Sequence, residues 1–547
     1  MLRLLSLYAL GLTVSNSIAA STFPYPAAIN CDSFSAGAWK GAHNTCNAEA
    51  SDAKWSPILN RALPSWYQDM KLGIFVHWGV YSVPAYGTEW HWHSVECGGE
   101  ANPTKAFDDR VYGINHDYRS FANDFKAELY NASAWVEVFK AAGASYVLPV
   151  AKHHDGFCMW NASTTAPGWN AVDVGPKRDV LQELYDAVEA TKDFEFGIYF
   201  SQGEWFNPLM VADKATNWTK KTYVEQTMIP QRLDLVTRFP KSMVWHTDGG
   251  WFAPDSYWGN YEWLTYLYEK SPLAQRIVSC NSMGIGCSHC TGGGTSGEKS
   301  ICLEYGDAPS GGDRTNAGRV LPHFFTNQMT IQRGSWSWDR SENGMASFFS
   351  TSELLLELVS TAAWNGTLIM NVGPTSDGLL PPIFEERLRG VGAWLGEGGN
   401  RKAVHATRPW NGGLPLGGES VGESGKNASS QPLNVFYTTP KEGIFATSER
   451  AVFATSFWWP PPPTCPAAAA VADACDDAMA SPRVLALSLP NVGIKGTCTA
   501  TLLATGASVP CAKGASGIVL TLGGAPPMTG DAGVASLAWA FEIKGLA

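Results

Sequence analysis

Six short runs of apolar, β-branched or aromatic residues punctuate the first 400 positions, and nearly every one carries a polar side chain at or next to its end. They are Lys71–Trp78, Tyr146–His154, Phe194–Ser201, Met243–Gly249, Arg276–Asn281 and Thr367–Val372. Runs this short and this apolar predict strands buried on both faces. Between them, helical patterns cover Ala134–Ala142, Asp179–Ala190 and Phe348–Ala363, the last with Ser350 or Thr351 as a cap reaching Glu353. Strand–helix alternation of this kind predicts a mostly parallel sheet.

The residues that end the runs decide between an open sheet and a barrel. His77, His153-His154, Tyr199, Asp248 and Asn371 all stand at predicted C-terminal strand ends. In a (β/α)8 barrel those ends share one mouth, where catalytic groups converge. A doubly wound sheet gathers its ligands at one switch point, usually beside a glycine-rich phosphate loop. No convincing loop of that kind is present, so the prediction is α/β: a (β/α)8-like TIM barrel over residues 56–404. Beyond residue 405 the texture changes to short alternating segments such as Leu433–Tyr437 and Arg483–Leu489, punctuated by Gly and Pro. That predicts a C-terminal antiparallel β-sandwich over 405–547, interrupted by a Pro/Ala-rich insertion at about 459–482.

The N-terminus adds a cellular context. Residues 1–20 carry Arg3, an apolar run from Leu4 to Val14 and a small-residue stretch ending Ala19-Ala20, the pattern of a signal peptide. The run is too short to span a bilayer, and no later stretch reaches eighteen apolar residues. A secreted or lumenal protein without a membrane anchor is expected, with lysosome or vacuole included. Five Asn-x-Ser/Thr sequons, at Asn131, Asn161, Asn217, Asn365 and Asn427, fit that route. So do the twelve cysteines, which in an oxidising compartment predict disulfides. Local pairs suggest themselves at Cys31/Cys46, which would staple an N-terminal arm over 21–55, at Cys465/Cys475 and at Cys498/Cys511. Cys280, Cys287, Cys290 and Cys302 form a tighter group. Cys287-Ser288-His289-Cys290 resembles half a zinc site, but no second spaced pair accompanies it.

Charge and composition narrow the partner. Lys plus Arg number 39 against 50 Asp plus Glu, a net charge of −11, which makes a poor binder of nucleic-acid phosphates. The chain also holds 23 Trp beside 18 Tyr and 24 Phe, and aromatic faces stack on sugar C–H faces. For the chemistry, Asp248 closes a strand between Thr247 and Gly249-Gly250-Trp251, the placement of a nucleophile. Retaining glycoside hydrolysis needs a second carboxyl about 5–5.5 Å away to protonate the leaving oxygen. Glu298, on the glycine-rich stretch Thr291–Gly297, is the candidate, with Glu304 as runner-up. His77, with Glu89-Trp90, and the tandem His153-His154 offer hydrogen bonds to hydroxyls and a stacking plane. Strand alternation would point the two tandem imidazoles to opposite faces, so they are not expected to chelate a metal together. No cofactor and no metal are expected.

These motifs resemble the α-L-fucosidases of glycoside hydrolase family twenty-nine. The matches run in order from Lys71–Gly79 with Tyr81–Pro84 through Glu89-Trp90, Lys152–Phe157, Gly175–Asp179, Phe196–Tyr199, Trp245–Trp251, Asn371–Pro374 with Asp377-Gly378, to Gly392–Leu395. The resemblance implies a retaining exo-hydrolase that releases terminal α-L-fucose through a covalent fucosyl-enzyme intermediate, without metal. It implies Asp248 as nucleophile, Glu298 or Glu304 as acid/base, and a fucose site built from His77, Glu89, Trp90, His153, His154 and Tyr199, beside Trp251. The chain departs from the family pattern at His246-Thr247 before the nucleophile, at Ser282, where many members carry Arg, and at Phe325-Thr326, where Trp-Glu precedes the seventh strand. The alternatives from other classes are a catalytically degenerate fucose-binding protein, a related glycosidase for another sugar and a metal hydrolase. The expected partner is a fucosylated glycan, with no nucleic acid; a homo-oligomer stays open.

Overall fold

The computed structural model describes residues 61–280, 288–291, 301–304, 313–314, 316–318, 320–321, 324–396, 399–410, 425–426, 432–433, 435–441, 450–457, 483–488, 494–514, 517–522 and 538–546. The expected signal peptide and arm, Glu298, Ser282, Asn427, the Cys31/Cys46 and Cys465/Cys475 pairs and the Pro-rich insertion lie outside them.

Five strands, β1 (Leu72–Val76), β2 (Tyr146–Lys152), β3 (Glu195–Ser201), β4 (Val244–Asp248) and β5 (Val278–Cys280), are followed by a hairpin of β6 (Ser288–Thr291) and β7 (Ile301–Glu304). Then come β8 (Phe325–Thr330) and β9 (Gly366–Val372). One sheet holds seven of them in the order β5-β4-β3-β2-β1-β9-β8, every neighbouring pair parallel. This curled parallel sheet with its helices is the (β/α)8-like barrel. The helices form where the periodicity puts them, at Ala132–Ala141, Val180–Glu189 and Thr351–Ala363. Asp179 caps the second by accepting the Gln182 N–H at 2.9 Å. Ser350 and Glu353 form a reciprocal capping box on the third.

Strand alternation sorts the side chains into two layers. Phe75, Tyr146, Leu148, Val150, Tyr199, Val244, Val278 and Ile369 fill the barrel interior. Their neighbours Ile74, Val76, Val147, Ile198, Phe200, Trp245, Leu368 and Met370 face the helices. Gly73 is small because the Tyr146 ring takes its place: an added Cβ would sit 2.3 Å from that ring. Phe325-Thr326 opens β8 rather than preceding a strand. Trp78 also departs from expectation. Its place by the end of the first predicted strand, like those of Trp90 and Trp251 by theirs, would put it at the sugar site, but it belongs to the outward layer, packs against Phe125, Tyr130 and Trp135, and gives its indole N–H to the Thr375 carbonyl at 2.7 Å.

Among the described residues, the C-terminal domain is antiparallel. One sheet runs Thr407–Pro409, Val435–Pro440, Arg450–Ser456, Trp539–Leu546, Ile494–Leu502, Ala507–Val509 in spatial order; a second runs Arg483–Ser488, Gly517–Leu522, Cys511–Lys513. Leu485, Leu487, Leu520 and Leu522 of one sheet meet Val452, Ala500, Phe541 and Ile543 of the other in a single core, a sandwich. Cys498 bonds Cys511 as the spacing suggests. Cys158 instead is a buried free thiol, so pairing does not extend to every cysteine. Among the sequons, Asn131, Asn161 and Asn217 are exposed, whereas Asn365 is buried and spends its amide on the Leu321 carbonyl at 3.1 Å. A glycan cannot occupy Asn365 in this fold.

Candidate active site

The polar strand ends do converge. From β1, His77 is buried and shares a 2.7 Å hydrogen bond between its Nδ1 and the Asn371 Oδ1 at the end of β9. The Asn371 amide in turn donates to the Trp336 carbonyl at 2.6 Å. His153 packs edge-on to His77 with 5.8 Å between ring centroids, and lies parallel to the Tyr199 ring at 6.0 Å. The phenol of Tyr199 donates to Asp248 Oδ2 at 2.5 Å, while the Gly249 N–H reaches Asp248 Oδ1 at 2.7 Å. Gly249 sits at φ 71°, a left-handed turn that lets the chain leave β4 directly behind the carboxylate. His154 Nε2 lies 3.8 Å from Asp248 Oδ2, and its Nδ1 is held 2.6 Å from Ser201 Oγ.

His153 and His154 therefore share one cavity, against the alternation argument. β2 ends at Lys152, and residues 153–156 form a turn closed by the Gly156 N–H on the His153 carbonyl at 3.1 Å. The strand rule no longer applies past that point, and the two rings lie 4.2 Å apart. Ligand atoms of His153, His154 and Asp248 all fall within 4.8 Å of one another, a set that could also hold a metal ion. Gly156, at φ 79°, has no room for a Cβ, which would meet the Glu204 carboxylate at 2.7 Å.

Aromatic side chains wall the cavity. Trp90 and Trp251 present edges to the His154 ring at 5.4 and 5.7 Å, and Trp205 completes the side at 5.4 Å. Glu89 is buried nearby and accepts the backbone N–H groups of Trp336 and Ser337 at 3.2 and 3.3 Å. Trp336, 5.1 Å from His77 and 5.8 Å from Phe75, is a mouth residue that the apolar-run pattern misses. Its one sequence signal is its place in Gly334–Trp338, directly after a barrel strand. Glu304 ends β7, opposite Ser288 in the hairpin that follows β5.

Burial sets the charge states. It holds His77 and His246 down to about 3 and pushes His153 and His154 well below the usual imidazole range, aided by the repulsion of His154 and His77 on His153 and of His77, His93 and Lys152 on His154. The site's imidazoles are thus neutral at working pH, free to donate or accept one hydrogen bond per nitrogen. Burial also raises the carboxyls of Glu89 and Asp155 to about 7. These shifts oppose each other in stability. A raised carboxyl adds stability that is complete below the unfolded value near 4.5 and is lost as pH climbs through 7. A depressed imidazole adds stability present above 6.5 and lost on acidification. His405 is held down to about 3 as well, so five strongly depressed imidazoles face two carboxyls held near 7, joined by smaller upward shifts at Glu96, Asp179, Glu183, Glu195 and Asp313. Between pH 6.5 and 4.5 the imidazoles win: thermal melting is expected to fall across that interval, and a flat or rising profile would contradict these charge states.

A parallel barrel whose mouth holds an oriented carboxylate, neutral imidazoles and indole walls defines a glycoside hydrolase. The α-L-fucosidase family profile matches residues 40–400. The chain belongs to the α-L-fucosidase family. It is 38% identical over 392 residues to an α-L-fucosidase of Branchiostoma floridae, covering 72% of this chain and 80% of that one. It is 36% identical over 364 residues to the plasma α-L-fucosidase of Homo sapiens, covering 66% and 74%. The fold is also that of the Thermotoga maritima α-fucosidase solved with a mechanism-based inhibitor, with TM-score 0.65 and 23% identity over 89% of this chain and 98% of that one.

Proposed function

We propose that this enzyme hydrolyses terminal α-L-fucosides of glycans with retention, by double displacement at Asp248. The observation that carries the proposal is the Asp248 carboxylate, fixed through both oxygens by Tyr199 and the Gly249 N–H at the end of a barrel strand. In the first step it attacks the anomeric carbon, the bond to the leaving oxygen breaks and an acid protonates that oxygen. In the second, the same acid, now a base, takes a proton from water, which displaces the carboxylate and returns α-L-fucose. His77, Glu89, Trp90, His153, His154, Tyr199 and Trp251 bind the sugar, the neutral imidazoles pairing with hydroxyls and the indoles covering its apolar face.

Glu298 is the proposed acid/base, with Glu304 the alternative. Glu298→Ala should cut turnover of a fucosyl disaccharide by about 10²–10⁴-fold, while a fucoside with an activated aryl leaving group loses far less in the first step. The same profile from Glu304→Ala, with Glu298→Ala near wild type, transfers the role. A metal-dependent hydrolase is the second reading, which the grouping of His153, His154 and Asp248 favours. Both Asp248 oxygens and His154 Nδ1 already have protein partners, so chelation is not required to hold them. Hydrolysis of a chromogenic α-L-fucoside is expected to survive EDTA; loss of activity would support the metal.

The secretory signals point to an extracellular, lysosomal or vacuolar enzyme. Among the described residues no helix is long and apolar enough to cross a membrane.

A further inference from the structure

At the rim of the mouth, Asp313 and Arg314 belong to none of the motifs above. Arg314 has a φ of 52°, a left-handed conformation that costs a non-glycine residue about 1 kcal/mol or more. Three contacts hold it there. Its N–H donates to the Gln328 carbonyl of β8 at 2.9 Å, its guanidinium donates to the Arg333 carbonyl at 3.0 Å, and the same guanidinium lies 5.8 Å from the centre of the Trp336 ring. Asp313 is tied to the same indole, accepting a hydrogen bond from Trp336. That indole lies 5.1 Å from the His77 ring, which puts the pair beside the mouth, and the charge of Asp313 adds to the upward shifts of the Glu89 carboxyl and the Tyr199 phenol. Both residues are exposed to solvent. The strained arginine and the aspartate beside it thus both lean on Trp336, an aromatic residue of the mouth.

We infer that Asp313 and Arg314 form a leaving-group subsite, which grips the sugar to which the fucose is attached. This rests on the placement of fucose beside Asp248. A terminal fucose seated against Asp248 must direct its glycosidic oxygen, and the next sugar, out through the mouth. Hydroxyls of that sugar then meet a carboxylate that accepts and a guanidinium that donates, a pairing suited to adjacent hydroxyl groups. The ligand class is a neutral saccharide, since the two charges of the pair cancel.

The test compares substrates with and without the second sugar. For the full-length enzyme, kcat/KM is measured on a fucosyl disaccharide and on an aryl α-L-fucoside, with wild type, Asp313→Asn and Arg314→Gly. Arg314→Gly is the decisive variant, because glycine accepts a φ of 52° and relieves the strain while removing the guanidinium. It should melt at or above the wild-type temperature, yet lose about tenfold or more on the disaccharide relative to the aryl fucoside. Asp313→Asn should shift the same ratio in the same direction. An unchanged ratio in both variants, or parallel losses on both substrates, would overturn the subsite. Failure of wild-type enzyme to turn over the aryl fucoside would instead sink the placement of fucose at Asp248.

Discussion

Replacing Asp248 with glycine should lower turnover by at least about ten-thousandfold, the scale seen when a covalent nucleophile is removed. The loss should be partly repaired by azide. Glycine leaves a cavity the size of the missing carboxyl, lined by the Tyr199 phenol and His154. A small anion can enter it and attack the anomeric carbon from the face the carboxylate used. Since no second displacement follows, the product is the inverted β-L-fucosyl azide, identified by its anomeric coupling. Wild-type rates in Asp248→Gly would remove the residue from the mechanism. Loss without azide rescue, in a variant with a normal melt, would leave it a binding group.

A second large effect is expected behind the mouth rather than in it. Lys152, at the end of β2, is fully buried, and its ammonium donates to Glu204 Oε1 at 2.7 Å, Gln231 Oε1 at 2.8 Å and the Tyr223 hydroxyl at 3.2 Å. Glu204 also accepts from the Asn207 amide at 2.8 Å. Glu204→Ala removes the only countercharge in that set and leaves an ammonium in the protein interior. Breaking one side of a buried pair costs about 3–5 kcal/mol. The midpoint of denaturant unfolding should drop accordingly, and activity with it, because the Trp205 N–H next to Glu204 holds the His154 carbonyl at 2.9 Å. Replacing both partners, Lys152→Met with Glu204→Leu, should recover most of the stability. A single mutant as stable as wild type would show that the charge is not trapped.

Much of this site was legible in the sequence, for a physical reason. Barrel strands buried on both faces write themselves as apolar runs, and the candidate site residues are the points where those runs stop. His77, Tyr199 and Asp248 were readable in this way. β8 was not, because Thr326, Asn327, Gln328 and Thr330 are polar: Asn327 turns outward to bond Thr361 at 2.8 Å, and the Thr326 hydroxyl lies 3.3 Å from the Tyr67 hydroxyl inside the barrel. Trp336 went unread with it, having no apolar run to announce it. The tandem histidines were found but misoriented, since the alternation rule was carried two residues past the end of β2. Trp78 erred the other way. One position beyond His77, it obeys the alternation and so faces the helices instead of the barrel mouth. Capping, by contrast, is local chemistry, and Ser350 with Glu353 could be placed to the residue.

The stereochemistry of the first product tests double displacement most directly. Proton NMR of the anomeric region, recorded in the first minutes of hydrolysis of an aryl α-L-fucoside, separates the two outcomes before mutarotation blurs them. Two successive inversions at the anomeric carbon require α-L-fucose to accumulate first. If β-L-fucose appears first, a single displacement by water is at work, and Asp248 is not a covalent nucleophile.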